Sequence, residues 1–160
     1  MQILAIAGTR PEVIKLAPLM RAFNRSPSEA TMAMCVLRQQ RDVLDRALQE
    51  WEIEPITSLP FGFTNGRPTE ELLLSLENEF DRWAPDCVVV QGDTNSSLAG
   101  ALAAERAGVR CVHVEAGLRT GNERDPFPEE SNRVRIAAVA ELSQRAHAAG
   151  AAGCVINLTL

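Results

Sequence analysis

Lysine is almost missing from this chain: Lys15 is the single lysine among 16 basic residues, and the rest are arginine. No apolar run approaches the roughly 20 residues that a membrane-spanning helix needs. The chain enters its first apolar run without the basic segment of a secretory leader, so the expected location is the cytoplasm, with no membrane partner. Positive charge is not in excess. The 16 basic and 21 acidic residues leave a net charge of -5, which removes the global electrostatic support that nucleic-acid binding needs. An anionic ligand stays compatible, because helix N-termini and a few arginines hold phosphates inside acidic proteins. The four cysteines (Cys35, Cys87, Cys111, Cys154) form no CxxC pair, so zinc-site spacing is absent and no metal is expected. Three of them sit in or beside apolar runs and read as small buried hydrophobes. Reduced thiols agree with a cytosolic setting. No internal repeat or low-complexity linker interrupts the chain.

What is present is enough for one domain with a real core: 160 residues, 46% of them hydrophobic. Short continuous apolar runs read as buried strands at Gln2 to Ala7, Thr31 to Leu37, Asp86 to Gln91 and Arg110 to Glu115. A short edge strand fits Pro55 to Pro60. Between them, helical spacing of apolar residues predicts helices after Pro11, over Asp42 to Trp51, from Thr69 to Trp83, over Leu98 to Ala107 with Gly108 as the stop, and from Glu129 to Leu142. Pro18 should kink the first helix. Phe61 to Pro68, with Gly62, Asn65, Gly66 and Pro68, reads as a mobile loop, and Ala116 to Pro128 as a long one. Strands alternating with helices predict an α/β fold, a doubly wound, Rossmann-like domain on a largely parallel sheet.

In such sheets the ligand crevice lies outside the carboxyl ends of the strands, and charge gathers there. The first strand ends in Gly8-Thr9-Arg10-Pro11, with Lys15 just beyond. This lacks GxGxxG spacing and the P-loop ending, so it is no standard nucleotide fingerprint. It is either a tight turn with a solvated Arg10 or a hold for an anionic or hydroxyl-rich ligand. Asp93 follows the buried strand that ends at Gln91 and could cap the next helix or touch a ligand, while Thr94, Asn95 and Ser96 could also cap. His113 and Glu115 alternate on one side of their strand, opposite Val114. The histidine reads as a hydrogen-bonded structural residue and Glu115 as a residue at the strand exit. Glu129 and Glu130 open a helix, where dipole compensation is the plain reading. Asp93, Glu115 and Glu129 on one sheet edge would form a cluster of acids suited to proton transfer.

Taken in order, Gly8-Thr9-Arg10-Pro11-Glu12, Lys15, Gly92-Asp93-Thr94, His113-Val114-Glu115-Ala116-Gly117-Leu118-Arg119-Thr120-Gly121 and Pro128-Glu129-Glu130-Ser131-Asn132-Arg133 resemble the non-hydrolysing UDP-N-acetylglucosamine 2-epimerases over residues 1–142. The resemblance implies the N-terminal half of a glycosyltransferase-B-type fold, whose site lies in the cleft between two Rossmann-like domains. It implies interconversion of UDP-GlcNAc and UDP-ManNAc: UDP is eliminated across C1–C2 to give 2-acetamidoglucal and is added back after protonation on the opposite face. No cofactor or metal is implied, and a homo-oligomer is. By the same resemblance Asp93, Glu115 and Glu129 are the catalytic acids and bases. Arg10, Lys15, Arg119, Asn132 and Arg133 are the substrate-binding residues. Gln39 and Arg41 match a segment that helps to hold a regulatory UDP-GlcNAc, although Gln40 stands where that segment has histidine.

Residues 143–160 read as a tail that diverges from the family pattern, and the nucleotide-binding C-terminal domain is expected to be absent. The expectation is therefore a truncated or frame-shifted product with negligible turnover alone, completed by a C-terminal half in cis or in trans. Two other readings stand beside it. One is a non-catalytic dimerisation or binding module derived from the enzyme. The other is half of a hydrolysing 2-epimerase that releases free ManNAc.

Overall fold

The computed structural model describes residues 1–25, 29–38, 41–122 and 127–140. Gln39, the side chain of Arg41 and the segment 143–160 lie outside the described residues.

Five parallel strands build the sheet: β1 (Gln2–Ala7), β2 (Thr31–Arg38), β3 (Thr57–Pro60), β6 (Cys87–Gln91) and β7 (Arg110–Val114). Their order is β3-β2-β1-β6-β7, so the direction of winding reverses between β1 and β6. The strands alternate with helices α1 (Arg10–Asn24), α2 (Arg41–Glu50), α3 (Glu70–Trp83), α4 (Asn95–Ala107) and α5 (Glu129–Val139). Among the described residues no helix is long and apolar enough to cross a membrane.

Period-two alternation sorts the strand side chains into two cores. Leu4 and Ile6 of β1, Cys35 and Leu37 of β2 and Val88 and Val90 of β6 pack under α3, α4 and α5, against Leu76, Phe80, Leu98 and Ile136. Ile3, Ala5 and Ala7, Met32, Met34 and Val36, and Cys87 and Val89 pack under α1 and α2, against Val13, Leu16, Leu44 and Ala47. Apolar side chains on both faces explain why these strands read as unbroken hydrophobic runs. Gly100 lets α4 approach closely, since a Cβ there would sit 2.9 Å from Val90 Cγ1 and 3.0 Å from Ile6. Cys35, Cys87 and Cys111 are buried. Burial pushes the thiols of Cys35 and Cys111 up to about 12, which keeps them protonated and inert.

Several boundaries differ from the sequence reading. The segment expected as a mobile loop holds a small antiparallel ribbon of β4 (Phe63–Thr64) and β5 (Arg67–Pro68). Asn65 and Gly66, with φ of 51° and 69°, supply the turn between them. Asn-Gly is the preferred pair for a two-residue hairpin of this hand. Helix α4 starts three residues earlier than expected because Thr94 caps it, its hydroxyl accepting from Ser97 N–H at 3.1 Å. The edge strand is shorter, Thr57–Pro60. Helix α1 runs on through Pro18 to Asn24. Thr69 caps α3 by accepting from Leu72 N–H at 3.3 Å, and Gly108 ends α4 at φ 67°.

Registers align the carboxyl ends of β1, β6 and β7, so Gly8, Gly92 and Glu115 leave the sheet at one edge. That edge flanks the point where the strand order reverses, which is where open α/β sheets form their crevice.

Candidate active site

Three strand exits and the start of α5 build the site. At the first exit Thr9 caps α1, and Glu12, one turn into the helix, folds its carboxylate back toward the turn. Glu12 is fully buried. Its Oε2 accepts from Gly8 N–H at 2.9 Å, Thr9 N–H at 2.7 Å, the Thr9 hydroxyl at 2.7 Å and the Ser96 hydroxyl at 3.2 Å. Its Oε1 accepts from the hydroxyls of Thr94 at 2.6 Å and Ser97 at 2.9 Å. The amides at the β1–α1 turn, which in this fold commonly face a phosphate, are thus already occupied by a carboxylate of the chain itself. Gly8 is required for this closeness: a Cβ there would lie 2.4 Å from Ser96 Oγ.

At the second exit Gly92 takes φ 73° and donates its N–H to Val114 O at 3.0 Å. His113, buried in β7, bonds through Nε2 to Gly92 O at 2.6 Å, and among the described residues its buried Nδ1 has no hydrogen-bond partner. Because the carbonyl can only accept, Nε2 carries the proton. Burial lowers the His113 pKa, the bond to Gly92 works against that shift, and Arg119 lowers it further. The imidazole is a neutral prop under the Gly92–Asp93 turn, as the structural reading of a strand histidine expects. Asn132 supports the same turn from α5, donating to Asp93 O at 2.9 Å and to Asn95 Oδ1 at 3.0 Å.

At the third exit Glu115 adopts φ 62°, the left-handed region that non-glycine residues seldom enter. The strand's alternation ends there. Glu115 Oε2 accepts from Lys15 Nζ, across from α1, and from Gln91 Nε2 at the end of β6. Arg133 of α5 places one guanidinium nitrogen on Asp93 Oδ2 and another 3.3 Å from Glu130 Oε2. Glu130 is buried. Burial opposes its charge, but the N–H groups of Thr120 and Gly121 and the nearby Arg133 outweigh this and hold its carboxyl below the usual range.

These groups line a cavity of about 400 Å³, among them Lys15, Gln91, Asp93, Glu115, Leu118 and Arg133. Of the five charged residues expected along one rim, Lys15, Asp93 and Glu115 meet there. Arg10 and Glu129 are not among its lining residues. Arg10 lies 3.6 Å from Glu50 of α2, and Glu129 opens α5. The expected cluster of like charges is instead two ion pairs, Lys15 with Glu115 and Arg133 with Asp93. Arg119 is exposed and donates to backbone carbonyls of Leu118 and, at 3.4 Å, Arg133. Asn132 holds the turn from beneath rather than lining the cavity. Among the described residues no group of three or more His, Cys, Asp and Glu could hold a metal.

Sequence reasoning assigned no role to Glu12 and read Glu130 only as compensating a helix dipole. Thr9-x-x-Glu12 carries the spacing of a capping box, which was the available signal for the first. Nothing local separates Glu130 from Glu129.

A family model described as UDP-N-acetylglucosamine 2-epimerase matches residues 22–157. The chain is 39% identical over 145 residues to a UDP-N-acetylglucosamine 2-epimerase of Bacillus subtilis, a match covering 89% of this chain and 38% of the relative. A structure described as an S. aureus MnaA–UDP co-structure superposes with a TM-score of 0.81 at 40% identity, over 87% of this chain and 37% of the other. A UDP-GlcNAc 2-epimerase from Neisseria meningitidis, solved bound to UDP-GlcNAc, gives 0.79 at 32% identity, over 94% and 43%. Acinetobacter baumannii MurG shares the fold alone, at 13% identity and a TM-score of 0.61. The α/β, Rossmann-like half of a glycosyltransferase-B-type fold is thereby in place. The chain spans about 38% of the length of the curated relatives it matches. On this sequence and structural likeness, the chain belongs to the UDP-N-acetylglucosamine 2-epimerase family.

Proposed function

We propose that this chain supplies the sugar-facing part of a UDP-GlcNAc 2-epimerase site, with UDP-GlcNAc and UDP-ManNAc as its ligands. The observation that carries the reading is the meeting of the Lys15–Glu115 and Arg133–Asp93 pairs at one cavity beside the sheet's point of reversal. Each carboxylate has a cation beside it, so two acids share a small volume without mutual repulsion. That arrangement suits a reaction in which a proton and an anionic leaving group depart from neighbouring atoms.

In the proposed course a carboxylate takes the proton from C2 of the sugar. The C1–O bond breaks with its electron pair leaving on the diphosphate, and a C1–C2 double bond forms. UDP oxygen then returns to C1, and a proton is delivered to C2 from the opposite face. Asp93 and Glu115 at the cavity are acids and bases for these transfers and Lys15 steadies the departing charge, while Glu129 and Arg10, outside the cavity lining, are assigned to the same tasks on the family resemblance. Arg119 and Arg133 add cations around the cavity, and Asn132 holds the Asp93 backbone. Gln39 and Arg41 are kept as candidates for a second, regulatory ligand.

Because the chain spans about 38% of its relatives, we assign the nucleotide-binding remainder of the site to a segment supplied in cis or in trans, and a homo-oligomer as the working form. Alone, the described chain is expected to turn over negligibly, since catalysis here needs a closed cleft.

The test incubates UDP-GlcNAc in deuterium oxide with the chain, alone and mixed with the separately produced remainder of the Bacillus subtilis relative. UDP-ManNAc carrying deuterium at C2 is the expected product of the mixture. Absence of that product, in conditions where the full-length relative turns over, overturns the reading. Free ManNAc with UDP would assign the hydrolysing course instead.

A further inference from the structure

Glu12 is a fully buried charged side chain for which the chemistry above has no use. It does not line the cavity, yet six polar groups converge on its two oxygens. A carboxylate can only accept hydrogen bonds. Two amides and the hydroxyls of Thr9, Thr94 and Ser96 can donate to it together, while the single proton of Ser97 is shared between Glu12 and Gln91 O, 2.5 Å away.

The donors come from two separate strand exits. Gly8 and Thr9 belong to the turn after β1, and Thr94, Ser96 and Ser97 to the turn after β6 and the first residues of α4. Glu12 itself sits three residues before Lys15 on α1, so the two share a helical face. On the other side, its partner Thr94 directly follows Asp93. Two of the residues bound to it, Thr9 and Thr94, line the cavity. Lys15 and Asp93 are also linked through Glu115 and Gln91, whereas Glu12 ties together the backbone turns that carry them.

We infer that Glu12 is a positioning residue: one buried carboxylate sets the spacing between Lys15 and Asp93 by clamping the exits of β1 and β6 together. The inference rests on the cavity being the site proposed above. Replacing the carboxylate with an amide keeps the volume but turns one acceptor into a donor facing hydroxyls. The two exits should then part, although both strands stay in the sheet.

The experiment uses the full 160-residue chain and NMR of the Lys15 side chain and of the Asp93 and Glu115 carboxyl carbons, with UDP-GlcNAc affinity measured in parallel. Glu12→Gln is compared with Ser96→Ala, which removes one partner of Glu12 at a buried residue that does not line the cavity. The control is Leu76→Val, a core change on the opposite face of the sheet that should lower Tm for an unrelated reason. All are read at a temperature where every variant is folded.

Glu12→Gln is expected to move the Lys15 and Asp93 resonances and to weaken UDP-GlcNAc binding by about tenfold. Ser96→Ala should move the same resonances in the same direction by less, and Leu76→Val should leave them in place. Resonances in Glu12→Gln that match those of Leu76→Val overturn the inference. If Glu12→Gln does not fold, Ser96→Ala against Leu76→Val decides in the same terms. A wild-type chain whose mixture with the remainder of the Bacillus subtilis relative forms no UDP-ManNAc overturns the proposed function, while the resonances still judge Glu12.

Discussion

Lys15 Nζ and Glu115 Oε2 are directly hydrogen-bonded although 100 residues separate them. The contact needs two unusual features. The chain's single lysine must fall on the second turn of α1, and Glu115 must accept a left-handed φ of 62° where β7 ends. Such backbone strain costs on the order of 1–3 kcal/mol and gathers at functional sites. Here it carries the carboxylate to the cavity shared with Asp93 and Arg133.

Lys15→Met should separate function from stability. Both side chains of the pair are nearly half exposed, at 49% and 42%. Exposed pairs contribute at most about 1 kcal/mol, so Tm should barely move. Turnover in the reconstituted mixture should fall by about 100-fold, as for loss of a fixed charge that meets a leaving group. Thermal melts beside initial rates check this. A large drop in Tm, or unchanged turnover, contradicts it.

Two glycine substitutions should have different costs for different reasons. In Gly8→Ala the new Cβ would lie 2.4 Å from Ser96 Oγ and 3.0 Å from Leu37 O. Overpacking of this kind costs about 1–3 kcal/mol, and it would also press on the Glu12 cluster. Gly121→Ala meets no atom of the described residues within 4 Å but must keep φ at 76°, a strain of about 1–2 kcal/mol at an exposed position. Urea denaturation should rank Gly8→Ala as the more damaging. The reverse order would remove the close packing of Gly8 on Ser96 from the account.

Inorganic phosphate should not find the β1–α1 turn. The amides of Gly8 and Thr9 already donate to Glu12, so their resonances should stay fixed through a phosphate titration of the wild-type chain. In Glu12→Ala the amides are released, and saturable shifts at Gly8 and Thr9 should follow. Saturable shifts at these residues in the wild type would show that the carboxylate does not hold them.

Acid should destabilise the fold in two windows. Burial lowers the His113 pKa from its ordinary 6.5, so its contribution is complete above that pH and is lost as pH falls from 6.5 through the lower folded value. Glu130 is likewise held below its ordinary 4.5, where burial is outweighed by Thr120 N–H, Gly121 N–H and Arg133. Its contribution is present above 4.5 and lost as pH falls through its folded value. Urea midpoints measured against pH should show both declines. His113→Asn should flatten the upper one and Glu130→Gln the lower one. An unchanged profile in either variant rules out that residue as the cause.

Much of the fold was legible because its signals are local. Cys87-Val88-Val89-Val90 could only be a strand covered on both faces, and Gly108 could only stop a helix that Ala107 continues. The ribbon at Phe63 to Pro68 was missed because its glycines and proline were read as loop formers, while Asn65-Gly66 is a hairpin turn. The site was legible in part. Asp93 and Glu115 stand at strand exits, where period and topology place them without knowledge of any partner. Arg10 stands at such an exit too, yet it reaches toward Glu50 of α2. The direction of a long side chain depends on which helix packs beside it, and no local pattern holds that information.

The order of strands and helices, the two-faced sheet and the glycines and threonines at its turns were written in the chain, because each follows from period, propensity or capping over a few residues. The charge partners were not. Whether Asp93 would cap a helix or meet Arg133, whether Glu12 or a ligand would fill the amides of Gly8 and Thr9, and which of Glu129 and Glu130 would be buried were settled by packing. Each of those outcomes joins residues from different elements, and hydrogen bonds to a buried charge form only where the folded chain brings donors within about 3 Å of it.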